Sequence, residues 1–189
     1  AIDYYRTAFY ELCDGVVMEM SMVDDDSLNI NDYIKMISLK TGALIEKSML
    51  IGGVYAKAKE NDITYLGKYG KCVGIIFQIT DDILGSFGDE KITGKPTDSD
   101  IREGKKTCLL ISALEKLEGP KKEKLIALIG KTGITADEIE EVKVLFKEAN
   151  VIDACKTKAE HYHEIALNYL TSLEADMNPS EIEFFKDLL

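Results

Sequence analysis

Apolar residues recur every three to four positions along most of the chain, and this periodicity predicts helices. A stripe of apolar residues over 2–22 predicts an amphipathic first helix. A second predicted helix begins at Asn31, a residue type that caps helices, and runs to about Lys59. A third runs from Asn61 to about Leu84. No segment has the alternation of a half-buried strand, so the pattern predicts an all-α protein.

The second half of the sequence is divided by turn and capping signals. Several glycines and a proline between Gly85 and Gly104 predict a loop. Further helices are predicted over residues 106–117, from Pro120, after a capping box opened by Thr135, over residues 151–173, and from Pro179. We expect these elements to form one all-α domain over residues 1–189.

Composition and charge narrow the possible functions. The 189 residues include 23 Lys and Arg against 34 Asp and Glu, a formal net charge of −11. Such an acidic balance argues against binding to nucleic acid or to an anionic membrane. No apolar run reaches the roughly 18 residues that a membrane span needs. The four cysteines form no CxxC pair, which favours a reducing compartment, so we expect a cytoplasmic protein.

The clearest chemical signal lies in residues 77–84. Asp81 and Asp82 are adjacent, and such pairs usually lie on a solvated helix face, but here apolar residues precede and follow them. Gln78 lies three residues before Asp81, so the three polar side chains share one strip of the predicted helix. Buried carboxylates need a cation or a basic partner. Oxygen ligands on an open face suit Mg²⁺, which also binds phosphate oxygens, so the strip predicts a magnesium site.

Basic residues follow this carboxylate strip within a short distance. Five of them lie within sixteen residues, namely Lys91, Lys95, Arg102, Lys105 and Lys106. In the second predicted helix, Lys40 and Thr41 could donate an ammonium and a hydroxyl to one anion. Carboxylates that bind a metal, followed by lysines that bind phosphate, are typical of a site for a magnesium-bridged diphosphate.

The order and spacing of these motifs resemble the trans-type polyprenyl diphosphate synthases, and most closely their archaeal geranylgeranyl and farnesyl types. The resemblance lies in residues 40–44, in residues 77–84, and in Gly94 and Lys95 followed by Asp100, Lys105 and Thr107. It implies a helical bundle of the isoprenoid synthase type, and a transferase that condenses an allylic diphosphate with isopentenyl diphosphate, 1′-4 head-to-tail, using Mg²⁺. It also implies a homodimer and a diphosphate-binding loop at residues 86–105.

The resemblance further implies roles for individual side chains. Lys40, Lys95 and Lys105 would hold the allylic diphosphate. Thr41 and Gln78 would line the cavity near the reacting carbon.

The aspartate motif departs from the pattern of the family. That motif has the form DDxxD, in which the first aspartate is the usual metal ligand, so Asp81 is the expected ligand here. Asp82 would either bind the metal or support Asp81. The fifth position is Gly85 rather than aspartate, and in the earlier GQxxD signature Val16 replaces the glutamine.

The first aspartate motif of the family and its isopentenyl diphosphate site have no match. Three aspartates at residues 24–26 are followed by Leu28 where that motif needs an aspartate. We therefore expect the chain to be the C-terminal portion of a synthase, inactive on its own. Two alternatives stay open: a non-catalytic helical subunit or binding module that pairs with a catalytic chain, and a helical scaffold with relic motifs.

Overall fold

The computed structural model describes residues 1–23, 25–94 and 96–189. These ranges contain α-helices and one π-helical turn but no strand, which confirms the all-α prediction. The helices are α1 (Ile2–Met22), α2 (Ile30–Ile37), α3 (Ala43–Tyr55), α4 (Glu60–Phe87), α5 (Glu90–Thr93), α6 (Ser99–Glu103), α7 (Cys108–Lys116), α8 (Gly119–Leu128), α9 (Ala136–Glu148), α10 (Val151–Leu173) and α11 (Pro179–Asp187). Within the same ranges, none of the helices has both the length and the apolarity to span a membrane.

The second predicted helix is not continuous. It consists of α2 and α3, joined by a π-helical turn over Ser38–Gly42. It also begins earlier than predicted, because Asn29 rather than Asn31 provides the cap. The side-chain oxygen of Asn29 accepts a hydrogen bond from the Asn31 N–H at 2.8 Å, and Asp32 accepts one from the Asn29 N–H at 3.0 Å.

The prediction of a loop between Gly85 and Gly104 is wrong for part of this segment. Helix α4 continues to Phe87, and the short helices α5 and α6 follow. Gly104 ends α6 with a φ of 67°, a left-handed conformation that glycine adopts without steric cost.

The chain forms two compact units, of which the first comprises residues 1–18, 34–78 and 159–189. Its buried core is built from side chains of α4, α10 and α11: Tyr69, Cys72, Ala166, Leu170, Leu173 and Ile182. The Tyr69 hydroxyl donates a hydrogen bond to the Phe185 carbonyl at 2.6 Å. This bond satisfies a buried polar group and ties α11 to α4.

The second unit comprises residues 19–33 and 79–158. Helix α7 is its centre, because residues 108–114 are all buried and α7 packs against both α8 and α9. Thr107 caps α7 by accepting a hydrogen bond from the Leu110 N–H at 3.3 Å. The capping box at Thr135 and Glu138 is present at the start of α9, as predicted.

The apolar stripe of α1 is largely uncovered in this chain. Ile2 is 83% exposed, Tyr5 67% and Phe9 59%. Periodicity correctly identified the residues that share this face, but it does not say what covers a face.

Candidate functional site

The π-helical turn holds Lys40 and Thr41 between two neighbouring helices. A Cβ atom on Gly15 of α1 would lie 2.4 Å from the backbone nitrogen of Lys40, and a Cβ atom on Gly74 of α4 would lie 2.5 Å from the Cα atom of Gly42. Only glycine permits these approaches, so α1 and α4 press directly on the backbone of the turn. Turns of the π type are often found at functional sites.

Thr41 and Gln78 are brought together, although 37 residues separate them in the sequence. The Thr41 hydroxyl donates a hydrogen bond to the Gln78 Oε1 atom at 2.8 Å, in a partly buried position. Lys40 lies in the same turn as Thr41. Three of the predicted site residues therefore belong to one local arrangement of the first unit.

Asp82 lies in the interior of the second unit, with only 3% of its surface exposed. Its Oδ2 atom accepts hydrogen bonds from the Tyr33 hydroxyl at 2.7 Å and from the Cys108 N–H at 3.1 Å. Burial and the negative charge of Asp82 raise the pKa of Tyr33 well above its usual range, so this hydroxyl stays protonated and donates. These contacts favour the supporting role of Asp82 over the ligand role.

We expect Tyr33→Phe to lower the free energy of unfolding by about 1–2 kcal/mol, because it removes a donor from a buried carboxylate. Urea unfolding followed by circular dichroism measures this change. Tyr55→Phe is a matched control, since Tyr55 is 90% exposed and should change the stability little. Equal stabilities for Tyr33→Phe and the unmodified protein would contradict the prediction.

Asp81 is exposed and lines a cavity of about 430 Å³ within the second unit. The other residues of its lining are Leu84, Gly85, Pro96, Ser99, Asp100, Glu103 and Lys105. The two adjacent aspartates thus differ, because Asp81 faces this cavity whereas Asp82 is buried. Neighbouring residues on a helix point about 100° apart, so Asp82 turns inward while Asp81 turns to the cavity.

Lys105 supplies the positive charge of this cavity. Its Nζ atom donates a hydrogen bond to the Asp100 Oδ1 atom at 3.2 Å. Burial lowers the pKa of the Lys105 ammonium. The charge and the hydrogen bond of Asp100, with smaller effects of Asp82 and Glu19, outweigh burial and raise this pKa overall. Lys105 is therefore a cation at neutral pH, as a phosphate ligand must be.

The side chains present fit a magnesium ion that is coordinated both by a protein carboxylate and by a phosphate group. Asp81 offers carboxylate oxygens at the cavity surface, and Lys105 offers an ammonium in the same lining. In the part of the chain that the structure describes, no three His, Cys, Asp or Glu residues converge as a ready metal cage. Lys95, a further predicted phosphate ligand, lies outside the described residues, as does Asp24.

Sequence reasoning missed two kinds of residue in this region. Tyr33 precedes its partner Asp82 by 49 residues, and no local pattern marks such a contact. Gly74 interrupts an apolar run, and an isolated glycine of this kind is a weak signal for close backbone approach.

Two curated relatives resemble the chain over most of its length. The first is the short chain isoprenyl diphosphate synthase of Methanocaldococcus jannaschii, which is 41% identical over 140 residues, 74% of this chain and 42% of that protein. The second is the geranylgeranyl diphosphate synthase of Sulfolobus acidocaldarius, which is 34% identical over 175 residues, 93% of this chain and 53% of that protein. The chain thus spans about half the length of these relatives.

Solved structures and a family model agree with this relationship. The crystal structure of geranylgeranyl pyrophosphate synthase from Corynebacterium glutamicum, complexed with isoprenyl diphosphate and magnesium, matches with a TM-score of 0.90 at 26% identity. The match covers 98% of this chain and 52% of that one, which confirms the isoprenoid synthase type of bundle. The family model described as polyprenyl synthetase matches residues 1–147. The chain therefore belongs to the polyprenyl synthetase family.

Proposed function

We propose that this chain carries the diphosphate-binding part of a prenyl transferase that condenses an allylic diphosphate with isopentenyl diphosphate, 1′-4 head-to-tail. The observation that carries the proposal is the common cavity of Asp81 and Lys105. A carboxylate that binds a divalent cation, beside an ammonium that binds phosphate, suits a magnesium-bearing diphosphate. The Corynebacterium relative supports this choice, because its structure is described as a complex with isoprenyl diphosphate and magnesium.

The residues of the second unit would act on the leaving diphosphate. When bound, Mg²⁺ supplies positive charge that stabilises this leaving group. Asp81 would hold the metal. The Lys105 ammonium has three N–H donors and gives one to Asp100, so others can serve a phosphate oxygen. Electrostatic stabilisation of the negative charge that develops on the leaving group is usually the largest contribution to such catalysis.

The residues of the first unit would orient and shield the reacting carbon. Thr41 and Gln78 present oxygen dipoles in a fixed arrangement, since one hydrogen bond joins them. By the family resemblance, Lys40 is also a ligand of the allylic diphosphate. The C–O bond of the allylic diphosphate would break, with diphosphate leaving and an allylic cation forming. The double bond of isopentenyl diphosphate would attack this cation to form the new C–C bond, and the resulting cation would lose a proton to the released diphosphate.

Three further proposals follow from the sequence and its family resemblance. Residues 86–105, which include the end of α4 and the helices α5 and α6, form the diphosphate-binding segment, in which Lys95 is a phosphate ligand. The protein is a cytoplasmic homodimer. The isolated 189-residue chain catalyses no prenyl transfer, because its sequence has no match to the first aspartate motif.

Calorimetric titration of the purified chain with inorganic pyrophosphate tests the proposal. We expect binding that requires Mg²⁺ and that Asp81→Asn weakens by at least about tenfold, because a metal ligand is lost. Asp187→Asn is a matched control for charge, on an exposed position of α11. Binding that is independent of Mg²⁺, or equal in Asp81→Asn and the control, would contradict the proposal.

The same preparation tests whether the chain is inactive alone. Incubation with geranyl diphosphate, isopentenyl diphosphate and Mg²⁺ should give no longer prenyl diphosphate, as measured by product chromatography. Turnover would refute the inactivity of the isolated chain and leave the binding proposal intact.

A further inference from the structure

Another cavity, of about 460 Å³, lies within the first unit. Its walls are the second half of α3, the first turns of α4, the end of α10 with the turn that follows, and α11. This volume is in the range of cavities that hold small organic ligands. None of the described residues assigned to prenyl transfer lines it, so its chemistry depends on side chains of its own.

The lining of this cavity is largely apolar, and part of it is left open by small residues. Five large apolar side chains contribute to it: Met49, Leu66, Leu173, Met177 and Phe185. Gly52 lines the same cavity, and a Cβ atom on this residue would meet nothing within 4 Å. The flexible thioethers of methionine adapt to ligands of different shapes. Such a lining suits the hydrocarbon body of a ligand.

One carboxylate, that of Asp62, opens into this cavity without a hydrogen-bond donor. Only 8% of the Asp62 surface is exposed, and within the described ranges it has neither a hydrogen bond nor an ion pair. Every sealed side-chain oxygen or nitrogen in those ranges has a partner, so the oxygens of Asp62 must reach the cavity. The dipole of α4 favours the charge of Asp62 in its first turn, but this leaves the acceptor capacity of the carboxylate unused.

The two lysines of the lining do not neutralise Asp62. Lys59 forms an ion pair with Asp176, whose Oδ1 atom lies 2.5 Å from the Lys59 Nζ atom, and it acts on Asp62 through its charge alone. Lys57 is exposed to solvent. The four charged residues of the lining balance, and the whole chain has a net charge of −11, which attracts cations. The buried carboxylate therefore sets the preferred charge of an occupant.

We propose that this cavity binds a small amphipathic cation, whose ammonium donates to the Asp62 carboxylate and whose hydrocarbon body lies against α4, α10 and α11. An ammonium has three N–H donors and no acceptor, so it matches a carboxylate better than a hydroxyl does. An anionic head group would meet Asp62 as a like charge. The inference is independent of prenyl transfer, because it uses other residues.

Three probes that share one hydrocarbon chain test the preferred charge: octylammonium, 1-octanol and octanoate, each below its micellar concentration. In calorimetric titration of the purified chain, octylammonium should bind at least about tenfold more tightly than 1-octanol, the scale of one charge-assisted hydrogen bond. Octanoate should bind more weakly than 1-octanol. No binding of octylammonium, or binding of 1-octanol or octanoate with equal affinity, would overturn the proposal.

A pair of matched variants tests the role of Asp62. Asp62→Asn should weaken octylammonium binding at least about tenfold and leave 1-octanol binding nearly unchanged, because it removes the charge and keeps the shape. Glu60→Gln is the control, since it removes an equal charge from the same first turn of α4, at an exposed position outside the lining. Equal losses in the two variants would indicate nonspecific attraction of a cation to an acidic chain, and would overturn the proposal.

Gly52→Leu tests the cavity without altering Asp62, and it keeps the proposal falsifiable should Asp62→Asn fail to fold. Because the space beside Gly52 is open, a leucine side chain can enter the cavity while the backbone stays in place. Octylammonium and 1-octanol should both bind at least about tenfold more weakly, whereas Gly52→Ala should change either affinity much less. Undiminished octylammonium binding by Gly52→Leu with a native circular dichroism spectrum would place the probe elsewhere and overturn the proposal.

Discussion

Asp81→Asn is expected to lower the rate of prenyl transfer by at least about 10²-fold, the scale of one electrostatic contributor to a transition state. The physical reason is that Asp81 lines the cavity, where its carboxylate can bind a metal ion that also binds the diphosphate. The rate is measured in an active full-length synthase that carries these residues, with saturating substrates and Mg²⁺. An unchanged rate would remove Asp81 from the mechanism.

Asp82→Asn provides the contrast to Asp81→Asn, because the two carboxylates differ in their surroundings. Asp82 is buried and accepts two hydrogen bonds on one oxygen, so its replacement should lower the midpoint of urea unfolding. Asp81→Asn changes an exposed side chain and should leave that midpoint nearly unchanged. A loss of rate without a loss of stability at Asp81 identifies a functional role.

Those parts of the fold that depend on local signals could be predicted from the sequence. The capping box at Thr135 and Glu138 is one example, because both partners lie within three residues of each other and act on the same turn. The start of α11 at Pro179 is another, since proline fits the first turn of a helix, where its missing N–H is not needed. Signals of this kind require no knowledge of the tertiary structure.

The arrangement of the site depends on tertiary contacts and could not be predicted in this way. Residues 31–59 have the apolar pattern of one long helix, yet the backbone of Lys40 and Gly42 forms a π turn between α1 and α4. Likewise, Asp81 and Asp82 are adjacent in the sequence, and the sequence alone does not show that their surroundings differ. Which of the two turns inward is set by the tertiary packing of α4, and the hydrogen-bond partner of Asp82, Tyr33, is distant in sequence.

Gly74→Val is expected to have the largest effect on stability, a loss of about 3 kcal/mol in the free energy of unfolding, the upper part of the range for overpacking. At position 74 even a Cβ atom would lie 2.5 Å from the Cα atom of Gly42, and backbone cannot yield as a flexible side chain does. Helix α4 and the π turn must then move apart. Because Thr41 and Gln78 lie on these two elements, their 2.8 Å hydrogen bond should be lost as well.

Alanine variants of two glycines separate this steric effect from the intrinsic preference of a helix for alanine. A Cβ atom on Gly52 of α3 would meet nothing within 4 Å, so Gly52→Ala should leave stability unchanged or raise it by up to about 1 kcal/mol. Gly74→Ala gains the same helix propensity, yet it should destabilise because its Cβ meets the π turn. Urea unfolding of both variants gives opposite signs if close backbone approach holds the turn in place. Equal shifts in the free energy of unfolding would mean that position 74 accepts alanine as readily as position 52. The turn carrying Lys40 and Thr41 would then not be fixed by α4.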